Sequence, residues 1–180
     1  MAETLLFLGG RRSGKSALAM RWAESHAASR ILLATSRIRD PETAERVRLH
    51  KAGRDASLRV CEEEISVVER ARAVCSEADC VLVIDCVSSW IANLLEDGFA
   101  DCDILRRVQD LGLFCEKSRD PVALVSLEVG LGAVPMHALA RRFSDVLGSA
   151  NQILAASVGT VLFSVAGLPL PLKGICPACL

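Results

Sequence analysis

Short apolar runs rich in β-branched residues alternate along the chain with stretches of helical periodicity. The runs cover residues 5–8, 30–34, 81–84, 122–126 and 161–165. The helical stretches cover residues 16–28, 41–51, 63–77, 88–95, 103–117 and 137–156. Apolar runs without polar alternation are typical of parallel strands that are buried on both faces. The pattern therefore predicts an α/β fold, with a mostly parallel sheet and helices on both of its faces.

The first predicted strand leads directly into a glycine-rich loop with the spacing Gly-x4-Gly-Lys-Ser. Its eight residues are Gly9, Gly10, Arg11, Arg12, Ser13, Gly14, Lys15 and Ser16. In such a loop, backbone N–H groups point at nucleotide phosphates, the lysine adds a positive charge and the serine hydroxyl binds Mg²⁺. A chance glycine-rich turn is the alternative. A strand before the loop and a helix after it are the context that a phosphate-binding loop requires, so the sequence favours nucleotide binding.

Candidate site residues also follow the other predicted strands. In an open parallel sheet, ligands bind beyond the carboxyl ends of the strands. The second predicted strand leads to Thr35, Ser36 and Arg37, and the third leads to Asp85. Asp85 stands where P-loop enzymes hold the carboxylate that binds Mg²⁺ or its water ligands, with a helix N-cap as the alternative role. We expect these loops to converge on the glycine-rich loop.

A basic cluster lies on and just after the predicted helix over 41–51. Arg46 and His50 are four residues apart and share one helix face, and Lys51 and Arg54 follow them. A solvated basic face with an incidental histidine is one interpretation. The other is a polyphosphate site whose cations keep the imidazole neutral, as attack on phosphorus requires. The helix C-terminus favours the imidazolium instead, so the residues alone leave both interpretations open.

Composition and charge narrow the classes of function. The 180 residues include 21 basic and 22 acidic side chains, and a net charge of −1 gives no global electrostatic reason to expect nucleic-acid binding. Hydrophobic residues make up 51% of the chain, which suits one domain over 1–180. No apolar run reaches the roughly 18 to 20 residues that span a membrane, and no secretory signal is visible. We therefore expect a cytoplasmic protein without membrane insertion.

Eight cysteines are present, and most of them lie within apolar or helical stretches. In a cytoplasmic protein, such residues are expected to be buried free thiols rather than disulfides. Cys176 and Cys179 have the spacing of half a zinc site or of a redox pair, but no second pair accompanies them and they do not begin a helix. We therefore expect residues 174–180 to form a loose tail.

Several motifs, taken together and in order, resemble those of the bifunctional adenosylcobinamide kinase and adenosylcobinamide-phosphate guanylyltransferase family. They are the glycine-rich loop, Ala34-Thr35-Ser36, Arg46 to Lys51, Asp85-Cys86 with Trp90 and Asn93, Glu128-Val129-Gly130, and Arg142-Phe143-Ser144-Asp145 with Asn151. The likeness covers nearly the whole chain. It implies a RecA-like P-loop NTPase fold and a homotrimer.

The resemblance implies two reactions in cobalamin assembly. The enzyme would phosphorylate adenosylcobinamide with ATP or GTP, then transfer GMP from GTP to adenosylcobinamide phosphate and release pyrophosphate, with Mg²⁺ as cofactor. In the family, the second reaction passes through a guanylylated histidine, which corresponds to His50 here. The stretch that the family uses around the guanine nucleotide corresponds to Lys51, Ala52, Gly53, Arg54 and Glu62.

Two other functions fit parts of the sequence. One is a P-loop kinase of another small metabolite, in which the basic helix acts as a lid and His50 only contacts phosphate. The other is a switch GTPase, since Asp145-Val146-Leu147-Gly148 fits the spacing Asp-x-x-Gly. That segment lies in a predicted helix, however, and no Asn-Lys-x-Asp guanine motif follows it.

Overall fold

A computed structural model describes residues 2–26, 29–37, 58–75 and 80–180. In chain order, the elements are β1 (Thr4–Gly9), α1 (Lys15–Glu24), β2 (Arg30–Ala34), β3 (Leu58–Glu62), α2 (Val67–Cys75), β4 (Val81–Asp85), α3 (Val87–Glu96), α4 (Asp101–Lys117), β5 (Val122–Leu127), α5 (Ala138–Ser157), β6 (Thr160–Val165) and β7 (Leu168–Lys173). All the predicted strands are present. The predicted helix over 41–51 lies outside the described residues.

Within the described residues, the strands form one sheet in the order β3-β2-β4-β5-β1-β6-β7. Every neighbouring pair is parallel except β6 and β7. Successive side chains of a strand point to opposite faces, so β1 places Leu6 and Leu8 in one core cluster and Leu5 and Phe7 in the other. Both faces of the central strands are therefore buried.

Helices cover both faces of the sheet. The cluster that contains Leu5 and Phe7 also contains Leu18 and Trp22 of α1. The opposite and larger cluster collects apolar side chains from α2, α3, α4 and α5, among them Trp90. This arrangement confirms the predicted α/β fold with a mostly parallel sheet.

The edge strand β3 was not predicted from the sequence. It pairs in parallel with β2, and Cys61 is its one buried residue. A strand that is mostly exposed needs no continuous apolar run, so β3 lacks the pattern that identified the buried strands.

The antiparallel strand β7 was also missed, because Pro169 and Pro171 interrupt its sequence. Proline is tolerated in an edge strand, where its missing N–H removes no bond of the sheet. The turn before β7 consists of Ala166 and Gly167, both with positive φ, at 52° and 81°. Positive φ at both positions is the mark of a type I′ turn, which joins β6 and β7 into a hairpin.

The helix predicted from residue 63 begins later, since α2 starts at Val67. The Glu63 carboxylate accepts hydrogen bonds from the backbone N–H groups of Ile65 and Ser66, at 2.9 and 2.8 Å. Burial raises the pKa of Glu63, but these hydrogen bonds outweigh that effect and hold the pKa below its usual value. Glu63 therefore closes a turn before the helix rather than belonging to it.

The last residues of the chain contact the core, which differs from the prediction of a loose tail. Cys176, Cys179 and Leu180 are partly buried and pack against the same cluster as α1. Burying their apolar surface favours this contact. None of the eight cysteines, all of which lie within the described residues, forms a disulfide. No helix in the part of the chain that the structure describes is long and apolar enough to cross a membrane.

Candidate nucleotide-binding site

The glycine-rich loop lies between the buried end of β1 and the start of α1. A Cβ atom at Gly9, where φ is +155°, would lie 2.6 Å from the Ser164 carbonyl oxygen. A Cβ atom at Gly14, where φ is +94°, would lie 2.8 Å from the Cα atom of Gly167. The Ser13 carbonyl also accepts a hydrogen bond of 2.9 Å from the Gly167 N–H. The β6–β7 hairpin therefore packs directly against the loop and requires glycine at these two positions.

Lys15 is the first residue of α1, and its side chain lies within the loop. It is 8% exposed, and its Nζ donates a hydrogen bond of 3.0 Å to the Gly10 carbonyl oxygen. Burial lowers the pKa of Lys15, while the nearby Cys86 and Asp85 partly oppose this effect. The first turn of α1 also presents N–H groups that have no partner within the helix. A buried cation beside such donors is an environment that attracts phosphate.

Asp85 ends β4 at the same edge of the sheet, close enough to Lys15 for its charge to affect the pKa of the lysine. The N-cap of α3 is Cys86, and no side chain caps this helix, so the alternative role of Asp85 as an N-cap is not observed. Ser16, the second residue of α1, adds a hydroxyl next to Lys15. Carboxylate and hydroxyl oxygens are hard ligands, so Ser16 and Asp85 have the chemistry that a magnesium ion needs.

The loops after the central strands meet, as the sequence predicts. The Glu128 N–H, after β5, donates a hydrogen bond of 3.0 Å to the Gly9 carbonyl oxygen. The Thr35 N–H, after β2, donates one of 3.2 Å to the Asp85 carbonyl oxygen. The first bond joins the ends of β5 and β1 and the second joins those of β2 and β4, and because β4 and β5 pair in the sheet, the four ends form one surface.

The side chains of Thr35 and Ser36 have protein partners. Thr35 is fully buried, and its Oγ1 donates to the Cys86 carbonyl at 2.7 Å and accepts from the Cys86 N–H at 2.9 Å. The exposed Ser36 donates a hydrogen bond of 3.0 Å to the Ser89 hydroxyl. Thr35 therefore ties the loop after β2 to the loop after β4. Nucleotide contact by either residue stays a prediction.

Arg37 is held by two carboxylates. Its Nη1 and Nη2 atoms donate to the Asp97 carboxylate at 2.8 Å each, and its Nε donates to Glu64 at 2.7 Å. These hydrogen bonds, first to Asp97 and then to Glu64, raise the pKa of Arg37 above its usual value. The guanidinium thus connects the loop after β2 to the end of α3, and its predicted contact with the nucleotide stays a prediction.

Glu62 lies apart from the glycine-rich loop. It is exposed at the end of β3, four strands from β1 in the sheet. At about 4.8 Å per strand, the two strand ends are roughly 19 Å apart. A nucleotide that contacts both must extend across the ends of β5, β4 and β2. The other residues of the predicted guanylylation site, His50, Lys51, Ala52, Gly53 and Arg54, lie outside the described residues.

Two asparagines organise the site without having been predicted to do so. Asn93 is 1% exposed, and its Nδ2 donates to the carbonyl oxygens of Thr35, at 2.8 Å, and Glu64, at 3.1 Å. Asn151 donates a hydrogen bond of 2.9 Å to the Leu127 carbonyl oxygen. Each fixes the backbone at the end of a strand. The signal that could have identified them is an amide side chain on the apolar face of a helix, where a buried polar group needs a partner.

The fold is similar to that of a solved ATPase from the type III secretion system of pathogenic bacteria. The TM-score is 0.55 and the sequences are 13% identical, with 89% of this chain and 50% of the other covered. The likeness concerns the fold alone, and it supports the predicted RecA-like P-loop architecture.

The sequence is similar to two curated bacterial proteins over nearly its full length. The bifunctional adenosylcobalamin biosynthesis protein CobP of Pseudomonas aeruginosa strain PAO1 is 39% identical over 173 residues, 94% of this chain and 96% of the relative. The bifunctional adenosylcobalamin biosynthesis protein CobU of Escherichia coli K12 is 35% identical over 184 residues, which cover 94% of this chain and 99% of the relative. The family model described as cobinamide kinase / cobinamide phosphate guanyltransferase matches residues 5–172. The chain therefore belongs to the cobinamide kinase and cobinamide phosphate guanyltransferase family.

Proposed function

We propose that the protein is a bifunctional enzyme of cobalamin biosynthesis. It phosphorylates adenosylcobinamide with ATP or GTP, and it then transfers GMP from GTP to adenosylcobinamide phosphate, releasing pyrophosphate. The observation that carries the proposal is the family match over residues 5–172 of a chain whose glycine-rich loop holds a buried lysine. The free cysteines suit a reducing compartment, so we place both reactions in the cytoplasm.

In the kinase step, the glycine-rich loop binds the phosphates of the donor nucleotide. Its N–H groups hold the phosphate oxygens, and Lys15 stabilises the negative charge that develops around the transferred phosphoryl group. Because Lys15 is 8% exposed, water screens its charge only weakly. Ser16 and Asp85 would hold Mg²⁺, which neutralises phosphate charge when it is bound. The hydroxyl of the aminopropanol group of adenosylcobinamide then attacks the γ-phosphorus; the bond to the nucleoside diphosphate breaks, the diphosphate leaves, and the hydroxyl proton passes to solvent.

In the guanylyltransferase step, the His50 imidazole attacks the α-phosphorus of GTP. A nitrogen–phosphorus bond forms and the bond to pyrophosphate breaks; the phosphate of adenosylcobinamide phosphate then attacks the same phosphorus and releases the imidazole. Lys51 and Arg54 offset the charge of the phosphates. The Glu62 carboxylate accepts hydrogen bonds from guanine, whose N1–H and amino groups are donors. We place the guanine toward β3, since Glu62 ends that strand.

Intact-mass spectrometry after incubation with GTP and Mg²⁺ tests the proposal. We expect the mass of one GMP to be added, the adduct to be labile in acid and adenosylcobinamide phosphate to discharge it. The chain has three histidines, which allows a matched control. His50→Asn should abolish the adduct, whereas His137→Asn, at an exposed position, should retain it. Adduct formation by His50→Asn would exclude His50 as the nucleophile.

The same measurement distinguishes the alternative kinase. A wild-type protein that hydrolyses or transfers the γ-phosphate but never gains GMP would support a P-loop kinase of another small metabolite. Incubating the protein with ATP and adenosylcobinamide, followed by mass spectrometry of the product, then decides whether adenosylcobinamide is the phosphate acceptor.

We also propose that the protein is a homo-oligomer, a trimer as in the family it resembles. Large apolar side chains are exposed in the segment after β5, with Leu131, Val134 and Met136 at 80%, 78% and 93%. Leu168 and Leu170 of β7 are exposed to 71% and 56%. Exposed apolar patches favour interaction surfaces. Light scattering in solution should give the mass of three chains, and the mass of one chain would contradict this proposal.

A further inference from the structure

Two thiols and a carboxylate lie together at the end of the sheet opposite to the glycine-rich loop. Cys75 ends α2, Cys80 directly precedes β4, and Asp120 lies two residues before β5. Because β4 and β5 are parallel neighbours, their amino ends bring Cys80 and Asp120 to the same place, and the Leu82 N–H donates to the Pro121 carbonyl there. The nearest ligand atoms of Cys75, Cys80 and Asp120 all lie within 4.8 Å of one another.

This spacing suits a single metal ion. Zinc binds thiolate sulfur at about 2.3 Å and carboxylate oxygen at about 2.0 to 2.2 Å, so two sulfurs of one tetrahedral site are about 3.8 Å apart. The ligand atoms lie within 4.8 Å of one another, so a contraction of at most about 1 Å would bring them to that distance. Two cysteines with one carboxylate form a donor set that suits zinc rather than magnesium or calcium, because sulfur is a soft ligand.

The surroundings of the group would exclude water from part of the ion. Cys80 is 1% exposed, and Cys75 and Asp120 are half-buried. If both thiols ionise, they and the carboxylate repel one another at this distance, and a divalent cation would offset that repulsion. The proposed nucleotide chemistry uses none of these residues, since it takes place at the carboxyl ends of the strands.

We propose that Cys75, Cys80 and Asp120 bind one zinc ion at the amino ends of β4 and β5. Two thiol protons leave to solvent as the two zinc–sulfur bonds form, and no electron is transferred. Three protein ligands leave one tetrahedral position for water. The ion would join the end of α2 to the two strands and stabilise this end of the sheet.

Metal binding by the reduced full-length protein tests this site. After treatment with a chelator, the protein is dialysed without nucleotide against Zn²⁺, and in parallel titrated with Co²⁺. We expect one Zn²⁺ per chain and, with Co²⁺, the near-ultraviolet absorption band that thiolate ligands produce. Cys75→Ser and Cys80→Ser should each weaken Zn²⁺ binding by at least about 100-fold, and Asp120→Asn by about 10-fold or more.

Two control variants separate this group from the other cysteines. Cys61→Ser removes a buried thiol of the same core cluster and should retain full binding. The double variant Cys176→Ser/Cys179→Ser removes the competing Cys-x-x-Cys pair and should also retain it. The proposal is overturned if the wild type binds no zinc, if binding is lost only in the double variant, or if Cys75→Ser and Cys80→Ser bind as the wild type does.

The shift in melting temperature on zinc binding distinguishes the loss of a zinc ligand from the misfolding of a variant. Zinc should raise the Tm of the wild type and of Asp120→Glu, which keeps the carboxylate, more than that of Asp120→Asn. An equal rise in all three proteins would exclude Asp120 as a ligand. A Cys75–Cys80 disulfide in protein isolated without reductant, together with the absence of zinc binding after reduction, would identify a redox pair instead and overturn the metal site.

Discussion

Two loops at the carboxyl edge of the sheet use their polar side chains in opposite ways. In the glycine-rich loop, the Lys15 ammonium donates a hydrogen bond to the Gly10 carbonyl oxygen, and the buried Ser13 hydroxyl has no hydrogen-bond partner within the described residues. In the loop after β2, the Thr35 hydroxyl donates a hydrogen bond to the Cys86 carbonyl oxygen and accepts one from the Cys86 N–H. The first loop leaves polar groups for a ligand, and the second uses them to hold its neighbours.

The difference in hydrogen bonding between the two loops has a consequence for the free energy of folding. A buried polar group without a partner costs about 1 to 3 kcal/mol, so a folded protein rarely keeps one without a purpose. A bound nucleotide can supply the missing partners in the glycine-rich loop. Removing a polar side chain from the first loop should therefore reduce activity more than stability, and removing one from the second loop should do the reverse.

The largest expected effect is that of Lys15→Ala. Removing the buried cation should lower kcat/KM for phosphorylation of adenosylcobinamide by about 10³-fold, because it stabilises charge in the transition state. The urea midpoint of unfolding should change little, since a desolvated charge is removed together with its one hydrogen bond. Lys117→Ala, at an exposed position, is the control and should keep full activity. Near-normal turnover by Lys15→Ala would show that the glycine-rich loop does not act in the kinase step.

A smaller effect is expected where the loop contacts the β6–β7 hairpin. Gly14→Ala forces a side chain into a backbone with positive φ and against Gly167, which should destabilise the fold by about 2 to 3 kcal/mol. Gly10→Ala is the matched control, because no atom lies within 4 Å of a Cβ at that position. Urea unfolding of the two variants measures the difference. Equal midpoints would mean that the hairpin does not support the loop.

The smallest effect is expected in the loop after β2. Thr35→Val keeps the shape of the side chain but leaves the N–H and carbonyl of Cys86 without their partner, which should cost about 1 to 3 kcal/mol. Ser36→Ala, at an exposed position, should cost at most about 0.5 kcal/mol. Chemical denaturation checks both values. If Thr35→Val instead raises the KM for nucleotide without changing stability, Thr35 belongs to the binding loop and the contrast between the two loops fails.

The elements that the sequence predicted correctly are those whose residue pattern is continuous along the chain. The buried strands β1, β2, β4, β5 and β6 are apolar runs, and the glycine-rich loop is a single motif of eight residues. The edge strand β3 was missed because it is mostly exposed and has no apolar run. The edge strand β7 was missed because prolines interrupt its apolar run. The start of α2 was misplaced because a side chain of the helical stretch, that of Glu63, bonds to the backbone after it.

The sequence by itself determined the fold class, the phosphate-binding loop and the family, because each depends on the type and spacing of nearby residues. Only the tertiary structure decided what these motif residues contact. Thr35 and Cys86 are 51 positions apart, and the thiols of Cys75 and Cys80 meet Asp120 only because β4 and β5 are neighbours in the sheet. The order and register of strands arise from the packing of the whole core, so no local pattern carries them.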